Sequence, residues 1–258
     1  MTITIGGFDG VHVAHQILIK KSDIVLIIEK SANLTPGLER CYYFNKGCDF
    51  LKLKNIKNLS KEEFIQYLKK LNTSKIVVGE DFRFGKNREG DINFLKKFFE
   101  VEVIKEIKID GIGVHSRVIR EFIIQGNIQK ANKFLGRNYK IKGTKIKGQG
   151  IGKELLPTIN IELFKPFLLP KNGVYLTKTN GFYSITFIGK RSTDENFSIE
   201  THILENFDKS IERGLISIEF LEFIRENRKF SSLEELKKAI LKDKEIALNL
   251  LKEKYGFS

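Results

Sequence analysis

The pattern of apolar and polar positions changes once along this chain, near residue 136. Before that point, short continuous apolar runs alternate with segments whose apolar residues recur at helical spacing. Such runs predict buried parallel strands, and the segments between them predict connecting helices. The predicted strands are residues 2–5, 23–28, 75–78 and 101–107, and the predicted helices are residues 13–21, 60–71, 92–99, 116–125 and 128–135. The first half is therefore expected to be a parallel α/β domain.

From Tyr139 onward the apolar period falls to two, and turn residues separate the segments. This pattern predicts an antiparallel β-barrel or sandwich. The predicted strands are residues 140–146, 158–161, 173–178, 182–188, 197–204 and 216–225. Ser232 and Glu235 have capping-box spacing and predict a long C-terminal helix that ends near Lys254. We expect two domains, residues 1–138 and residues 139–258.

Composition narrows the class of protein. The chain has 258 residues, of which 41% are hydrophobic and 30% charged, and this excludes a disordered polar chain. No apolar run approaches the roughly 20 residues that cross a bilayer, and the first residues lack a secretion-signal pattern. Cys41 and Cys48 are the only cysteines, so we expect neither a disulfide framework nor a zinc site. These features favour a reduced, cytoplasmic protein.

The net charge of +13 suggests a polyanionic partner: nucleic acid, an anionic membrane or a phosphorylated small molecule. The excess is spread over both halves, and many lysines alternate with glutamates on predicted helix faces, which is typical of solvated surface. The charge therefore does not require nucleic-acid binding.

The first candidate site is the run Gly6-Gly7-Phe8-Asp9-Gly10, which follows a predicted strand and leads into a predicted helix. Small residues let backbone amides approach a bound phosphate, and the start of the helix adds partial positive charge. His12 and His15 follow with i, i+3 spacing, which places both imidazoles on one helical face. Paired imidazoles there predict hydrogen bonds to phosphate oxygens, on which charge builds up in the transition state.

These residues resemble the GxFDGVHxGH signature of the nucleotidyltransferase superfamily, in its FAD synthetase branch. Two later segments are also similar to that branch: residues 77–85, and residues 115–120, which resemble its phosphate-holding segment. Four positions depart from the family pattern, namely Gly7, Ala14, His115 and Arg117. The resemblance implies a Rossmann-like first domain that transfers an adenylyl group from ATP to FMN.

The second candidate site begins with a glycine-punctuated basic stretch, residues 143–153. Thr158 and Asn160 follow Pro157 with i, i+2 spacing on a predicted strand, so their side chains are expected on one face. A hydroxyl and an amide oxygen are neutral ligands that suit Mg²⁺ already carrying nucleotide phosphates.

This stretch resembles the riboflavin kinase signature HGxxxGRxLGFPTAN, shortened by one residue before the proline. Four further segments match that family in the expected order: residues 170–175, 188–193, 200–203 and 223–233. Together the two halves resemble a bifunctional riboflavin kinase/FAD synthetase over nearly the whole chain. Ser192 stands where the family has a proline.

The resemblance also implies a role for individual residues. The implied catalytic residues are His12, His15 and Glu200, of which Glu200 is the base of the kinase step. The implied ATP- and phosphate-binding residues are Gly7, Phe8, Asp9, Ser116, Arg120, Gly148, Gly150, Gly152 and Lys153. The implied flavin-binding residues are Asp81, Phe82 and Arg225, and the implied Mg²⁺ ligands are Thr158 and Asn160. ATP, riboflavin, FMN and FAD are the expected small-molecule partners.

Three other interpretations stay open. Another nucleotidyltransferase, which makes dephospho-coenzyme A or a nicotinamide dinucleotide, would explain the first half but gives the second no role. An FAD synthetase with a degenerate kinase domain would fit the shortened motif. A non-enzymatic nucleic-acid binder would fit the charge but not the paired histidines.

Overall fold

The structure is a computed structural model that describes residues 1–148, 157–192, 194–208 and 213–256. The chain divides into two compact units. The first holds Met1–Val118 with Phe134–Gly136, and the second holds Ile119–Lys133 with Arg137–Ser258. Residues 119–133 thus group with the second unit, although the sequence pattern assigned them to the first domain. The functional boundary between residues 138 and 139 stays a prediction.

A parallel sheet forms the centre of the first unit. Its strands are β1 (Thr2–Gly6), β2 (Ile24–Glu29), β3 (Gly47–Lys52), β4 (Lys75–Gly79) and β5 (Glu100–Ile104). They lie in the order β3-β2-β1-β4-β5, and every neighbouring pair is parallel. Ile3, Leu26 and Val77 are buried at the middle of their strands, as continuous apolar runs predict. The predicted parallel α/β class is confirmed.

Helices connect these strands and continue beyond the sheet. They are α1 (Val13–Lys20), α2 (Leu53–Ile56), α3 (Lys61–Lys70), α4 (Ile92–Leu95), α5 (Ser116–Ile124) and α6 (Ile128–Leu135). A capping box starts α3, because the Ser60 hydroxyl accepts from the Glu63 N–H at 3.1 Å and the Glu63 carboxylate accepts from the Ser60 N–H at 2.8 Å. Phe64, Ile65 and Leu68 on this helix are buried in a core cluster with residues of the sheet.

The segment between β2 and α3 is where sequence analysis missed the most structure. It contains a 3₁₀ helix, Gly37–Tyr43, and the edge strand β3. Because β3 pairs only with β2, most of its residues stay exposed or half-buried and its sequence lacks a continuous apolar run. The short hairpin of β6 (Lys108–Ile109) and β7 (Ile112–Gly113) was also missed.

The two cysteines are joined by a disulfide, Cys41–Cys48, so the expectation of reduced cysteines is wrong in this structure. Cys41 lies on the 3₁₀ helix and Cys48 on β3, and the chain reverses between them so that their Cα atoms are 6.0 Å apart. This separation is normal for a disulfide. The bridge could not be predicted, because the sequence does not show that the chain reverses between the two cysteines and brings them close together.

The second unit is built on a closed antiparallel barrel. Its strands are β8 (Tyr139–Ile146), β9 (Ile159–Leu163), β10 (Gly173–Thr179), β11 (Phe182–Lys190), β12 (Phe197–Ile203) and β13 (Leu215–Glu226). They close in the order β10-β11-β12-β9-β8-β13. Of the two predicted alternatives, barrel or sandwich, the barrel is confirmed.

The predicted C-terminal helix is also confirmed, as α7 (Leu233–Tyr255). Ser232 caps it by accepting from the Glu235 N–H at 3.1 Å. Ala247 and Leu251 are buried in one cluster with Val174 of β10 and Leu221 of β13. Within the residues that the structure describes, no helix has the length and apolar character needed to cross a membrane.

Candidate active sites

The first candidate site lies where the strand order of the parallel sheet reverses. From β1 the chain adds β2 and β3 on one side and then returns to place β4 on the other. In open parallel sheets, ligands bind at the carboxyl ends of the strands beside such a reversal. The glycine run follows the carboxyl end of β1, and residues 79–85 follow that of β4. Topology therefore places both predicted segments at the expected edge.

The structure brings the two predicted imidazoles together. His12 is the N-cap of α1, and its Nδ1 accepts from the His15 backbone N–H at 3.4 Å. The rings stack with centroids 3.5 Å apart, and the Phe8 ring meets His15 edge-on at 5.0 Å. His12 is only 3% exposed, whereas His15 is half-buried. His15 is therefore the imidazole better placed to reach a ligand, and His12 lies behind it.

The Asp9 carboxylate accepts hydrogen bonds from backbone N–H groups of its own unit. Oδ1 accepts from the N–H groups of Leu34 at 3.0 Å and Thr35 at 2.9 Å, and Oδ2 accepts from Asn33 at 3.3 Å. The Thr35 hydroxyl in turn accepts from the Gly10 N–H at 2.8 Å. The side chain of Asp9 thus fixes the glycine run to the segment after β2, and its predicted place in an adenosine pocket stays a prediction.

Ser116 contacts the glycine run directly. It is the first residue of α5, and its hydroxyl donates to the Asp9 carbonyl at 2.7 Å. Arg120 lies one turn later on the same helix, so both predicted phosphate-binding residues share a face of α5. His115 is held by Glu106, whose carboxylate lies 3.0 Å from its Nε2, and this contact lowers the pKa of Glu106.

The predicted flavin-binding pair lies in the turn after β4. Asp81 is exposed, and the Phe82 N–H donates to the Gly79 carbonyl at 3.1 Å. The half-buried Phe82 ring stacks on the buried Phe84 ring at 5.9 Å. The turn thus has an exposed carboxylate beside an aromatic ring anchored on the core. Flavin binding by this pair stays a prediction.

Arg40 is a residue of this site that sequence reasoning missed. Its side chain is buried, its Nη1 donates to the Gly7 carbonyl at 2.7 Å, and its Nε donates to the Gly37 carbonyl at 3.1 Å. The guanidinium lies over the Phe50 ring at 5.1 Å. Burial lowers the pKa of Arg40, and the charges of Asp9 and Glu29 oppose that shift. No local pattern marks this arginine, because the partner that connects it to the glycine run, Gly7, lies 33 positions away in sequence.

In the second unit, strand pairing brings Asn160 and Glu200 side by side. Asn160 on β9 is the cross-strand partner of Glu200 on β12 and of Ile146 on β8. Thr201 is fully buried in the barrel, where its hydroxyl bonds those of Thr179 and Thr186. Because side chains alternate along a strand, Glu200 faces the opposite side, together with Asn160.

A cleft of about 510 Å³ is lined in part by Asn160 and by Arg191, the arginine that contacts Glu200. Its polar lining residues include Lys147, Asn160 and Arg191, and most of its remaining lining is apolar. Gly148 also lines the cleft, and the Asn160 side-chain amide packs closely against its backbone. An apolar cleft with a few convergent polar groups is typical of a small-molecule site.

Other residues predicted for this site are less defined. Thr158 is exposed and lies one residue before β9 begins, so strand alternation does not fix its direction. Gly150, Gly152 and Lys153 lie outside the described residues.

Arg191 links Glu200 to a second carboxylate. Its Nη1 lies 3.4 Å from Glu200 Oε1, while its Nε and Nη2 donate to the two Asp194 oxygens at 3.0 and 2.8 Å. Hydrogen bonds from Arg191 lower the pKa of Asp194 to about 2, and the same contact raises the pKa of Arg191. Arg191 belongs to a segment that matched the kinase pattern, although the motif implied no role for it.

Arg225 has a structural partner. Its Nε and Nη2 each donate to an oxygen of the buried Asp243 at 2.7 Å, which ties β13 to α7. The guanidinium also lies 5.6 Å from the centroid of the Phe230 ring. Flavin binding by Arg225 stays a prediction.

Comparison with known protein families agrees with a nucleotide-dependent transferase built from two catalytic units. Residues 31–118 match the family model described as FAD synthetase, and residues 135–251 match the one described as riboflavin kinase. The chain carries both domains, in the order that the motifs predicted.

Several relatives match along almost the whole chain. The bifunctional riboflavin kinase/FMN adenylyltransferase of Buchnera aphidicola subsp. Schizaphis graminum is 31% identical over 95% of this chain and 92% of its own length. That of Listeria monocytogenes is 30% identical over 94% of this chain and 90% of its own length. This protein belongs to the bifunctional riboflavin kinase/FMN adenylyltransferase family.

Two further matches extend the comparison. The trifunctional protein RibF/MnmA of Mycoplasmoides gallisepticum is 32% identical over 96% of this chain, which spans 39% of that relative's length. A crystal structure titled as a macrolide-efflux protein from Streptococcus pneumoniae matches with a TM-score of 0.86 and 24% identity, over 96% of this chain and 93% of that one. At this identity the structural match shows the fold alone.

Proposed function

We propose that this chain phosphorylates riboflavin to FMN with ATP and then adenylylates FMN to FAD, releasing pyrophosphate. The observation that carries the proposal is the pairing of Asn160 with Glu200 beside a cleft, in the unit that matches riboflavin kinase. The stacked His12 and His15 at the sheet reversal support the second activity. We expect both steps to take place in the cytoplasm, where ATP is made.

In the kinase step, the 5′-hydroxyl of riboflavin attacks the γ-phosphorus of ATP, and ADP leaves. Glu200 accepts the hydroxyl proton as the new O–P bond forms. Arg191 holds one Glu200 oxygen at 3.4 Å and limits the directions in which the carboxylate can turn. Phosphoryl transfer depends mainly on alignment and charge neutralisation, and a carboxylate held in one orientation contributes to the alignment of the attacking hydroxyl.

In the adenylylation step, a phosphate oxygen of FMN attacks the α-phosphorus of a second ATP, and pyrophosphate leaves. The nucleophile is already an anion, so this step needs no strong base. His15 donates a hydrogen bond to the α-phosphate, and His12 orients His15 through the stacked contact. Ser116 and Arg120, on one face of α5, bind the leaving phosphates.

The oxygen donors of the kinase unit fit Mg²⁺. Asn160 offers a side-chain amide oxygen, and Thr158 offers a hydroxyl two residues earlier. Among the described residues, no cluster of three or more His, Cys, Asp or Glu side chains forms a metal site. Such a cluster is not required, because Mg²⁺ usually binds through few protein ligands and substrate phosphates. When bound, the ion would neutralise phosphate charge, with Thr158 and Asn160 holding it.

Replacing Asn160 with alanine is expected to raise the Mg²⁺ concentration that half-saturates FMN formation. The substitution removes one oxygen ligand and leaves Glu200 in place. FAD formation from supplied FMN should keep its Mg²⁺ dependence, because that reaction belongs to the other unit. Initial rates across a Mg²⁺ titration at fixed ATP measure both effects. An unchanged requirement for FMN formation would remove Asn160 from the metal site.

Chromatography of riboflavin incubated with MgATP and the purified chain tests the function directly. We expect FMN to appear first and FAD to follow. FAD formed only from added FMN would indicate a degenerate kinase unit. Failure with both flavins, together with adenylylation of phosphopantetheine or nicotinamide mononucleotide, would indicate a different nucleotidyltransferase.

A further inference from the structure

Arg40 lies against the glycine run of the first unit, where it donates to the Gly7 carbonyl. Arg40 is 1% exposed, so a ligand has almost no access to its guanidinium. A buried arginine is costly unless its donors are satisfied, and here two donors bond the carbonyls of Gly7 and Gly37. One of these carbonyls belongs to the run that leads into the paired histidines. The buried guanidinium is therefore placed to restrain the backbone of that run.

The glycine run needs such support because its backbone is strained. Phe8 has a φ of 48° and Val11 has a φ of 39°, both in the left-handed region that side chains with a Cβ disfavour. Strained residues persist only where their surroundings over-determine them. The bonds from Asp9 to the backbone of residues 33–35 and from Arg40 to Gly7 supply this constraint. All of them connect the run to one segment, residues 33–40.

The Arg40 bond also sets the direction of one peptide group. A trans peptide holds its carbonyl and its following N–H on opposite sides. Since the Gly7 carbonyl accepts from the buried Arg40, the Phe8 N–H is directed away from the guanidinium. A phosphate bound over this run would meet an amide already oriented, and preorganised donors are what stabilise charge in a transition state.

We propose that Arg40 is a positioning residue for adenylyl transfer, which fixes the Gly7–Phe8 peptide and the approach of the run to His12 and His15. It acts through the backbone and does not touch the substrate. The inference rests on the proposed function, in which this run binds ATP phosphates. The proposal also gives a role to residues 33–40, for which the motifs implied none: this segment holds the glycine run in place.

The test compares three variants of the full chain. Arg40→Met keeps a long side chain and removes both hydrogen bonds, whereas Arg40→Lys keeps the cation and places its donors on a single nitrogen. Ile65→Val is the matched control, because it weakens packing on α3 of the same unit without touching the run. FAD formation from FMN gives kcat and KM for ATP, and FMN formation from riboflavin measures the other unit in the same sample. Circular dichroism sets a temperature at which every variant is folded.

We expect Arg40→Met to lower kcat for FAD formation about 10- to 100-fold, the loss typical of a misplaced reacting group. The KM for ATP should change far less, and Arg40→Lys should recover most of the lost rate. Ile65→Val should leave kcat unchanged, and all three variants should make FMN at the wild-type rate. A wild-type kcat in Arg40→Met, or an equal fall in Ile65→Val, would overturn the proposal. If Arg40→Met does not fold, Arg40→Gln, which is shorter and uncharged, takes its place in the same assay, and a wild-type kcat in Arg40→Gln would overturn the proposal.

Hydrogen exchange separates this inference from the proposed function. Amides of residues 7–12 should exchange faster in Arg40→Met than in wild type or Ile65→Val, whether or not FAD is made. If the wild-type chain makes no FAD but Arg40→Met still exchanges faster at residues 7–12, the proposed adenylylation is refuted and Arg40 keeps its role as the support of the run. Unchanged exchange in Arg40→Met would refute the role of Arg40 itself.

Discussion

Replacing His15 with alanine is expected to lower FAD formation from FMN about 10²- to 10³-fold, the usual effect of removing one preorganised donor to a developing negative charge. His15 is chosen over His12 because it is half-buried, whereas His12 is 3% exposed and lies behind it. FMN formation by the same sample should stay at the wild-type rate, since Glu200 and Asn160 belong to the other unit. Separate assays with FMN and with riboflavin measure the two rates.

The control for this substitution is Lys20→Ala, which removes an exposed side chain from the last turn of the same helix. It should leave both activities unchanged. A folded His15→Ala chain that still makes FAD at close to the wild-type rate would remove His15 from the active site. Equal loss of FMN and FAD formation would instead contradict the assignment of the two activities to separate units.

The first site could be predicted largely because its signal is local. A strand, small residues, a helix start and two histidines follow each other within fifteen residues, and each has its own backbone or spacing requirement. The structure places them as the pattern implies, with His12 at the N-cap and His15 stacked on it. The unequal burial of the two rings could not be predicted, because it depends on how the rest of the unit packs around them.

The support beneath that site could not be predicted from sequence. The bonds that join the glycine run to its support, Leu34 to Asp9 and Arg40 to Gly7, each connect residues more than twenty positions apart. They form only when the segment after β2 folds back against the glycine run. The same segment carries the disulfide and the edge strand β3. An edge strand with one partner has no continuous apolar run, so the pattern that found the four other strands misses this one.

The second site shows the opposite case, in which strand register decides the geometry. Asn160 and Glu200 are forty positions apart, and the matched motifs alone left their distance open. Antiparallel pairing of β9 with β12 makes them direct neighbours. On its other side Asn160 pairs with Ile146 of β8, and its amide lies against the backbone of Gly148. Thr158 lies before the strand starts, so the pairing that fixes Asn160 does not fix the position of Thr158.

Replacing Glu200 with glutamine is expected to lower FMN formation about 10²- to 10⁴-fold, the range that a general base contributes. Glutamine keeps the size of the side chain, so the contact with Arg191 loses its charge while the packing beside Asn160 remains. The substitution should therefore lower kcat for FMN formation without unfolding the chain. Initial rates of FMN formation at saturating ATP and riboflavin measure kcat, and FAD formation from supplied FMN should not change.

Two comparisons make the test of Glu200 specific. Glu234→Gln, an exposed carboxylate on α7, changes the net charge of the chain by the same amount and should leave FMN formation unchanged. Arg191→Met should lower kcat less than Glu200→Gln, because it frees the carboxylate from its restraint without removing it. If Glu200→Gln kept the wild-type kcat, the proton of the flavin hydroxyl would have to leave by another route. Proximity to Asn160 and the cleft would then identify Glu200 as a neighbour of the reaction and not as its base.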